Sequence, residues 1–174
     1  PVVGRHSRDD PMKWPESRKT LSAIYPIDGS YDVRIMGGVK TPLKVLGTSL
    51  LSTGWTVYKR DELSVLNFLS SLDYFVFYQH SQAVEAFGRA ILEALASGTV
   101  VILPKSFSDV FGEAALYAEP EDVSVLIHTL HSDFSVYRSQ LGKARAILEA
   151  RFSYQSYVDK IKAFLFDRQY EELT

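Results

Sequence analysis

The chain has no cysteine, which excludes disulfides and thiolate metal sites and allows a reducing compartment. It also has no apolar run approaching the 18 residues of a membrane span, and no signal-peptide pattern. An excess of one charge is missing too: 19 Lys and Arg face 21 Asp and Glu, for a net charge of −2. That balance gives no electrostatic reason to expect nucleic acid or a strongly anionic membrane as partner. Internal repeats and low-complexity segments are absent. Among the histidines, His6, His128 and His131 show no metal-ligating or catalytic spacing. What is present is an ordinary globular composition, 46% hydrophobic and 23% charged over 174 residues, enough for a full core. One domain over 1–174 is the simplest organisation.

The stretch that organises the chain runs from Asp73 to Pro104. Tyr74-Phe75-Val76-Phe77 is a short apolar run of the kind buried on both faces of a sheet. Phe87, Ala90, Ile91, Ala94 and Leu95 then fall at i, i+3, i+4, i+7 and i+8, the stripe of an amphipathic helix. Gly98 supplies a helix stop, and Val100-Val101-Ile102-Leu103 is a second buried strand ended by Pro104. The unit is a right-handed βαβ crossover. Around the helix start stand Glu85, Gly88 in the expected first turn, and Glu93. First-turn N–H groups lack internal partners and carry partial positive charge, so that end of the helix favours an anion. Gly88 leaves the backbone open to a phosphate. The two carboxylates flanking such a site would meet hydroxyls, as sugars beside a diphosphate would present.

Elsewhere strands and helices alternate. Pro1–Gly4 reads as a first strand, and the polar loop from Arg5 to Glu16 leads to a helix capped by Ser17 and stopped by Pro26. Tyr31–Met36 reads as a strand, Thr41-Pro42 as the start of a helix reaching Leu50, and Trp55–Tyr58 as the next strand. Asp61 reads as the cap of a helix carrying Leu63, Leu66, Leu69 and Leu72. After Ala114–Ala118, a last short strand, come three helices with apolar stripes expected to face the core, the final one capped by Ser153. The pattern implies an α/β fold: a Rossmann-like, doubly wound parallel sheet flanked by helices, with C-terminal helices. The adjacent acids Asp9 and Asp10 belong to an Asp-Pro turn, and no metal site is expected there.

Glu85-Ala-Phe-Gly, four residues, then Glu93-Ala-Leu-Ala-Ser-Gly-Thr-Val-Val resembles the signature of retaining GT-B glycosyltransferases of the glycosyl transferases group 1 family. The resemblance covers nearly the whole chain and is strongest from Glu85 to Val101. It implies that Glu85 contacts donor-sugar hydroxyls, that Glu93 contacts the nucleotide ribose, and that the backbone of Phe87, Gly88 and Arg89 binds diphosphate. The order strand-Gly4-Arg5-loop-Lys13-helix resembles the family's first βα connection, which implies that Arg5 and Lys13 clamp the diphosphate and meet leaving-group charge. Ala86, Arg89, Trp14 and the loop Tyr78–Gln82 depart from the family pattern; His80 in that loop is a candidate hydroxyl contact. The implied strand order makes the first and fourth strands neighbours, so both exit loops open on the crevice where ligands bind in such sheets.

The resemblance therefore implies the donor-binding, C-terminal half of a cytoplasmic two-domain enzyme. The donor is a nucleotide-diphosphate sugar and the transfer retaining and metal-free, with no separate cofactor. The partner would be an N-terminal acceptor-binding domain, through which any peripheral membrane contact would run. Two other readings stand beside it: a sugar-nucleotide epimerase of similar fold, which lacks the paired-glutamate stretch, and a non-catalytic nucleotide-sensing or receiver-like α/β module. A receiver needs an acid ending its third strand, where this chain has Lys59-Arg60.

Overall fold

Among the described residues six short strands build one sheet: β1 (Val2–His6), β2 (Asp32–Met36), β3 (Thr56–Tyr58), β4 (Tyr74–Val76), β5 (Val100–Leu103) and β6 (Leu116–Tyr117). Their order is β3-β2-β1-β4-β5-β6 and every pairing is parallel. The helices are α1 (Arg18–Ile24), α2 (Lys40–Leu46), α3 (Val65–Leu69), α4 (Arg89–Ala96), α5 (Ser108–Phe111), α6 (Val123–Ser132), α7 (Phe134–Phe152) and α8 (Tyr154–Glu171). This computed structural model describes residues 1–84 and 87–171, with side chains as far as residue 166. The architecture is the doubly wound α/β sheet expected from the alternation of strands and helices.

Both faces of the sheet are covered, and the strand period of two assigns each side chain to a face. Val3, Val33, Ile35, Tyr74, Val76, Val100 and Ile102 pack with Leu21, Ile24, Val123 and Ile127 from α1 and α6. Their neighbours in sequence, Phe75, Phe77, Val101 and Leu103, pack with Phe68, Ile91, Ala94, Phe111 and Ala144 from α3, α4, α5 and α7. All four residues of β5 are buried, as its unbroken apolar run requires.

Several helix starts differ from expectation, each for a local reason. Thr41 is not the cap of α2. The helix begins at Lys40 and is capped from another loop, where the Asp9 carboxylate accepts from the N–H of Lys40 at 2.6 Å and of Thr41 at 2.9 Å. It stops at Gly47, which takes a left-handed φ of 61°, well short of Leu50. Asp61 is not a cap either: it is a left-handed turn residue at φ 65°, and Ser64 caps α3 by accepting from Asn67 N–H at 3.1 Å. Gly88 lies outside the first turn of α4, as its N-cap at φ 77°. β1 runs on to His6, which puts Arg5 inside a strand and not in a loop.

The last correction concerns α8. Ser153 does cap it, its hydroxyl accepting from Ser156 N–H at 3.1 Å. Its apolar stripe is not core-facing, however, since Tyr157, Ile161, Phe164, Leu165 and Phe166 are all exposed. Among the described residues no helix is long and apolar enough to cross a membrane.

Gly37, just past β2, has φ 112°, and a Cβ there would lie 2.1 Å from the carbonyl oxygen of Ser7. Gly54 also has positive φ, 67°, but open space where a Cβ would go. Gly54→Ala should therefore cost only the left-handed penalty, about 1–2 kcal/mol, whereas Gly37→Ala adds a backbone clash and should cost clearly more. Urea unfolding of the two variants side by side checks this; equal midpoints would contradict it.

Candidate functional site

A crevice of about 440 Å³ opens beyond the C-terminal ends of β1, β2 and β3, against the start of α4. Its walls come in sequence order from the strand ends and exits: His6, Ser7 and Arg8 at the end of β1, Lys13 from the following loop, Met36 and Gly37 at the end of β2, Arg60 and Asp61 after β3. Gly88, Arg89, Ala90, Ile91 and Glu93 form the opposite side. This is where the strand order reverses, at the β1/β4 pair, and where α/β sheets place their ligands.

The N-terminus of α4 is open at the backbone. Gly88 has no side chain to cap it, and the first N–H groups of a helix have no intrahelical acceptor. Glycine suits position 88 because side chains rarely adopt its φ of 77°, and a Cβ there would require Cδ1 of Ile91, 2.7 Å away, to move. Arg8, Lys13, Arg60 and Arg89 line the crevice against two carboxylates, Asp61 and Glu93. A helix N-terminus with four cationic side chains suits a polyanionic ligand.

Glu93 sits one turn into α4, its side chain 35% exposed, with Oε1 3.3 Å from Arg89 Nε. Its Oε2 lies 4.0 Å from Nδ1 of His6, a buried nitrogen without a hydrogen-bond partner among the described residues. Burial pushes the His6 imidazole below its ordinary value. The Glu93 carboxylate opposes that shift, and the Arg89 and Arg5 guanidinium groups add to it.

The residues expected at the site divide clearly. Lys13, Gly88, Arg89 and Glu93 line the crevice. Phe87 does not: its ring packs 6.2 Å from Phe111 and 6.0 Å from Phe152, leaving only its backbone beside Gly88. Gly4 is a packing residue in mid-strand, where a Cβ would lie 2.4 Å from the Arg34 carbonyl oxygen and 2.7 Å from Leu72 Cδ2. His80 belongs to a turn, its Nδ1 accepting from Gln82 N–H at 3.1 Å and its own N–H donating to Met12 at 3.3 Å. Arg5 is fully buried beneath Trp14 and does not line the crevice, because the strand it belongs to continues past it. Glu85 lies outside the described residues.

Sequence reasoning passed over His6, Arg8 and Asp61 as ligand contacts. His6 ends β1, and Arg8 and Asp61 lie within three residues of a strand's C-terminal end; that position in a doubly wound sheet was the available signal. The acidic pair is engaged elsewhere: Asp9 caps α2, and Asp10 accepts from Met12 N–H at 2.9 Å. Among the described residues no three His, Asp or Glu side chains gather as a metal ion would need.

No family model and no curated protein matches the chain. Solved structures do. HepE from Anabaena, in complex with UDP and glucose, superposes with a TM-score of 0.72 at 18% identity, over 95% of this chain and 48% of that one. TarM from Staphylococcus aureus, in complex with fondaparinux, alpha-GlcNAc-glycerol and UDP, gives 0.72 at 19%, over 93% and 34%. A glycosyltransferase from Rickettsia africae gives 0.72 at 16%, over 94% and 46%. At these identities the likeness establishes the fold. The chain spans between a third and a half of each of these proteins.

The His6–Glu93 contact makes a sign-specific prediction. Folding depresses the His6 pKa from 6.5, so the folded state holds fewer protons there than the unfolded chain. The resulting stability is present above pH 6.5 and is lost as pH falls through the folded value. Glu93→Gln removes the group that opposes the depression, so the His6 pKa should fall further in an NMR titration of the imidazole. A rise on that substitution would show that Glu93 does not face His6 as described.

Proposed function

We propose that this chain is the nucleotide-sugar-binding half of a GT-B glycosyltransferase, and that the crevice holds the donor's diphosphate. The observation that carries the reading is the meeting of an uncapped, glycine-opened helix N-terminus with cationic strand-exit residues at the β1/β4 reversal. The fold likeness to proteins solved with UDP supports it. The full protein would transfer a sugar from a nucleotide diphosphate to an acceptor. The acceptor-binding half would come from an N-terminal domain, so this chain alone would bind donor without efficient transfer.

In this reading the backbone of Gly88, Arg89 and Ala90 takes the diphosphate, with charge met by Lys13, Arg89 and Arg8. A fixed arrangement of donors and cations stabilises leaving-group charge without reorganisation and makes a metal unnecessary. Glu93, one turn along α4, takes the ribose hydroxyls. Glu85 keeps the sugar-hydroxyl contact that the sequence resemblance gives it, and retention at the anomeric carbon rests on the same resemblance.

Calorimetric titration with UDP, GDP and ADP and with their glucose conjugates tests the reading. At least one diphosphate should bind in excess EDTA, and magnesium should change the affinity little. Glu93→Ala should weaken diphosphate and sugar conjugate alike, by about 1.5–3 kcal/mol for a charged hydrogen bond lost. Glu85→Ala should weaken the conjugate and spare the bare diphosphate. Absence of binding to all three diphosphates would end the donor-site reading, and binding that vanishes in EDTA would end the metal-free form of it.

A further inference from the structure

Arg5 is the only charged side chain among the described residues that is fully buried. Its Nη1 donates to the carbonyl oxygen of Tyr78 at 2.9 Å and its Nη2 to that of Lys13 at 2.6 Å. The guanidinium carbon lies 4.1 Å over the Trp14 ring and 4.5 Å over the Phe77 ring. Both acceptors lie on exit loops, one after β1 and one after β4, the two strands between which the sheet order reverses. The same loops are tied twice more, by His80 N–H to the Met12 carbonyl at 3.3 Å and by Ser81 N–H to Glu16 Oε2 at 3.1 Å.

We infer that Arg5 is a positioning residue: its guanidinium staples the β1 exit loop to the β4 exit loop and so sets where Lys13 enters the crevice, without touching the ligand. The inference rests on the donor-site reading for the ligand, but the staple itself is a property of the chain. A planar fork with donors at a fixed separation holds two carbonyls at a fixed separation, which a lysine ammonium on a flexible stem does not. Stability alone would be served with less desolvation by an apolar side chain in the same slot, since a buried charge is costly and, among the described residues, Nε has no hydrogen-bond partner. Trp14, which follows Lys13 directly, completes the clamp from above, fully buried against the guanidinium.

The test uses Trp14 as reporter in a Trp55→Phe background, so that one indole remains, with UDP as the ligand probe. Arg5→Lys keeps the charge and loses the fork. It should move Trp14 emission to longer wavelength before any ligand is added, and weaken UDP binding by about tenfold. Lys13→Ala added to Arg5→Lys should then weaken UDP by less than about twofold more, because coupled residues do not add. Wild-type affinity in Arg5→Lys, unchanged emission, or losses that simply add would each overturn the inference. Should Arg5→Lys fail to fold, NMR of the wild-type guanidinium decides. Slow solvent exchange of the Arg5 Nη protons without UDP, and shifts unchanged on adding it, support the staple; fast exchange or a UDP-dependent shift overturns it. If the wild-type chain does not bind UDP, the donor-site reading fails for that nucleotide, while emission and exchange still decide whether the staple exists.

Discussion

The pairing of β1 with β4 is the contact on which the rest of this molecule is arranged. β1 takes β2 on one side and β4 on the other, so the chain must leave the two central strands in opposite directions. The connection after β1 runs to α1 on one face of the sheet and that after β4 to α4 on the other. A crevice at that point is a consequence of strand order, before any side chain is chosen. The sequence serves the pairing directly. Gly4 aligns with Arg34 on one side and Phe75 on the other, and a Cβ there would meet the Arg34 carbonyl oxygen. The same need for close approach recurs at the strand ends, where Gly37 lets the β2 exit pass against Ser7.

Once the crevice exists, its chemistry follows from which atoms are left without partners. Strand ends and helix starts leave backbone groups that the sheet and helix cannot satisfy. On the β1 side those groups are answered internally. The Asp9 carboxylate takes two amides of α2, and Arg5 takes two loop carbonyls. On the α4 side the N-cap is Gly88, which has no side chain to answer with. The site therefore consists of one satisfied wall that holds its shape and one wall that still presents donors, with Arg8, Lys13, Arg60 and Arg89 around them. On the proposed reading, that division is what would preorganise the crevice for an anion.

How far this was legible in the sequence depends on the range of the interaction involved. β5 begins at Val100 and ends at Leu103, the two ends of its apolar run, and Gly98 stops α4, because both are decided within a few residues. The strand order was read from a resemblance and not from propensity, and the sheet has it. What could not be read locally were the long-range substitutions of one cap for another. Thr41 has the chemistry of an N-cap, yet Asp9, some thirty residues earlier, takes the amides of Lys40 and Thr41, and the helix begins before Thr41. Arg5 next to a glycine in a polar stretch looks like an exposed loop cation. Only the aromatic wall formed by Trp14 and Phe77, residues from two other segments, turns it inward.

The helices after β6 show where periodicity stops carrying information. α6 and α8 both present stripes of apolar residues, and the stripe alone assigns both to packing surfaces. In α6 the assignment holds, with Val123, Ile127 and Leu130 buried against the sheet. In α8 Tyr154, Tyr157, Ile161, Phe164, Leu165 and Phe166 stand exposed. The difference lies in where the preceding element ends. α6 starts beside β6 and lies over α1, whereas α8 follows nineteen residues of α7 and meets little beyond α7 itself. A periodic apolar pattern fixes that a helix has a face; the position of the helix in the fold decides whether this chain supplies what would cover it.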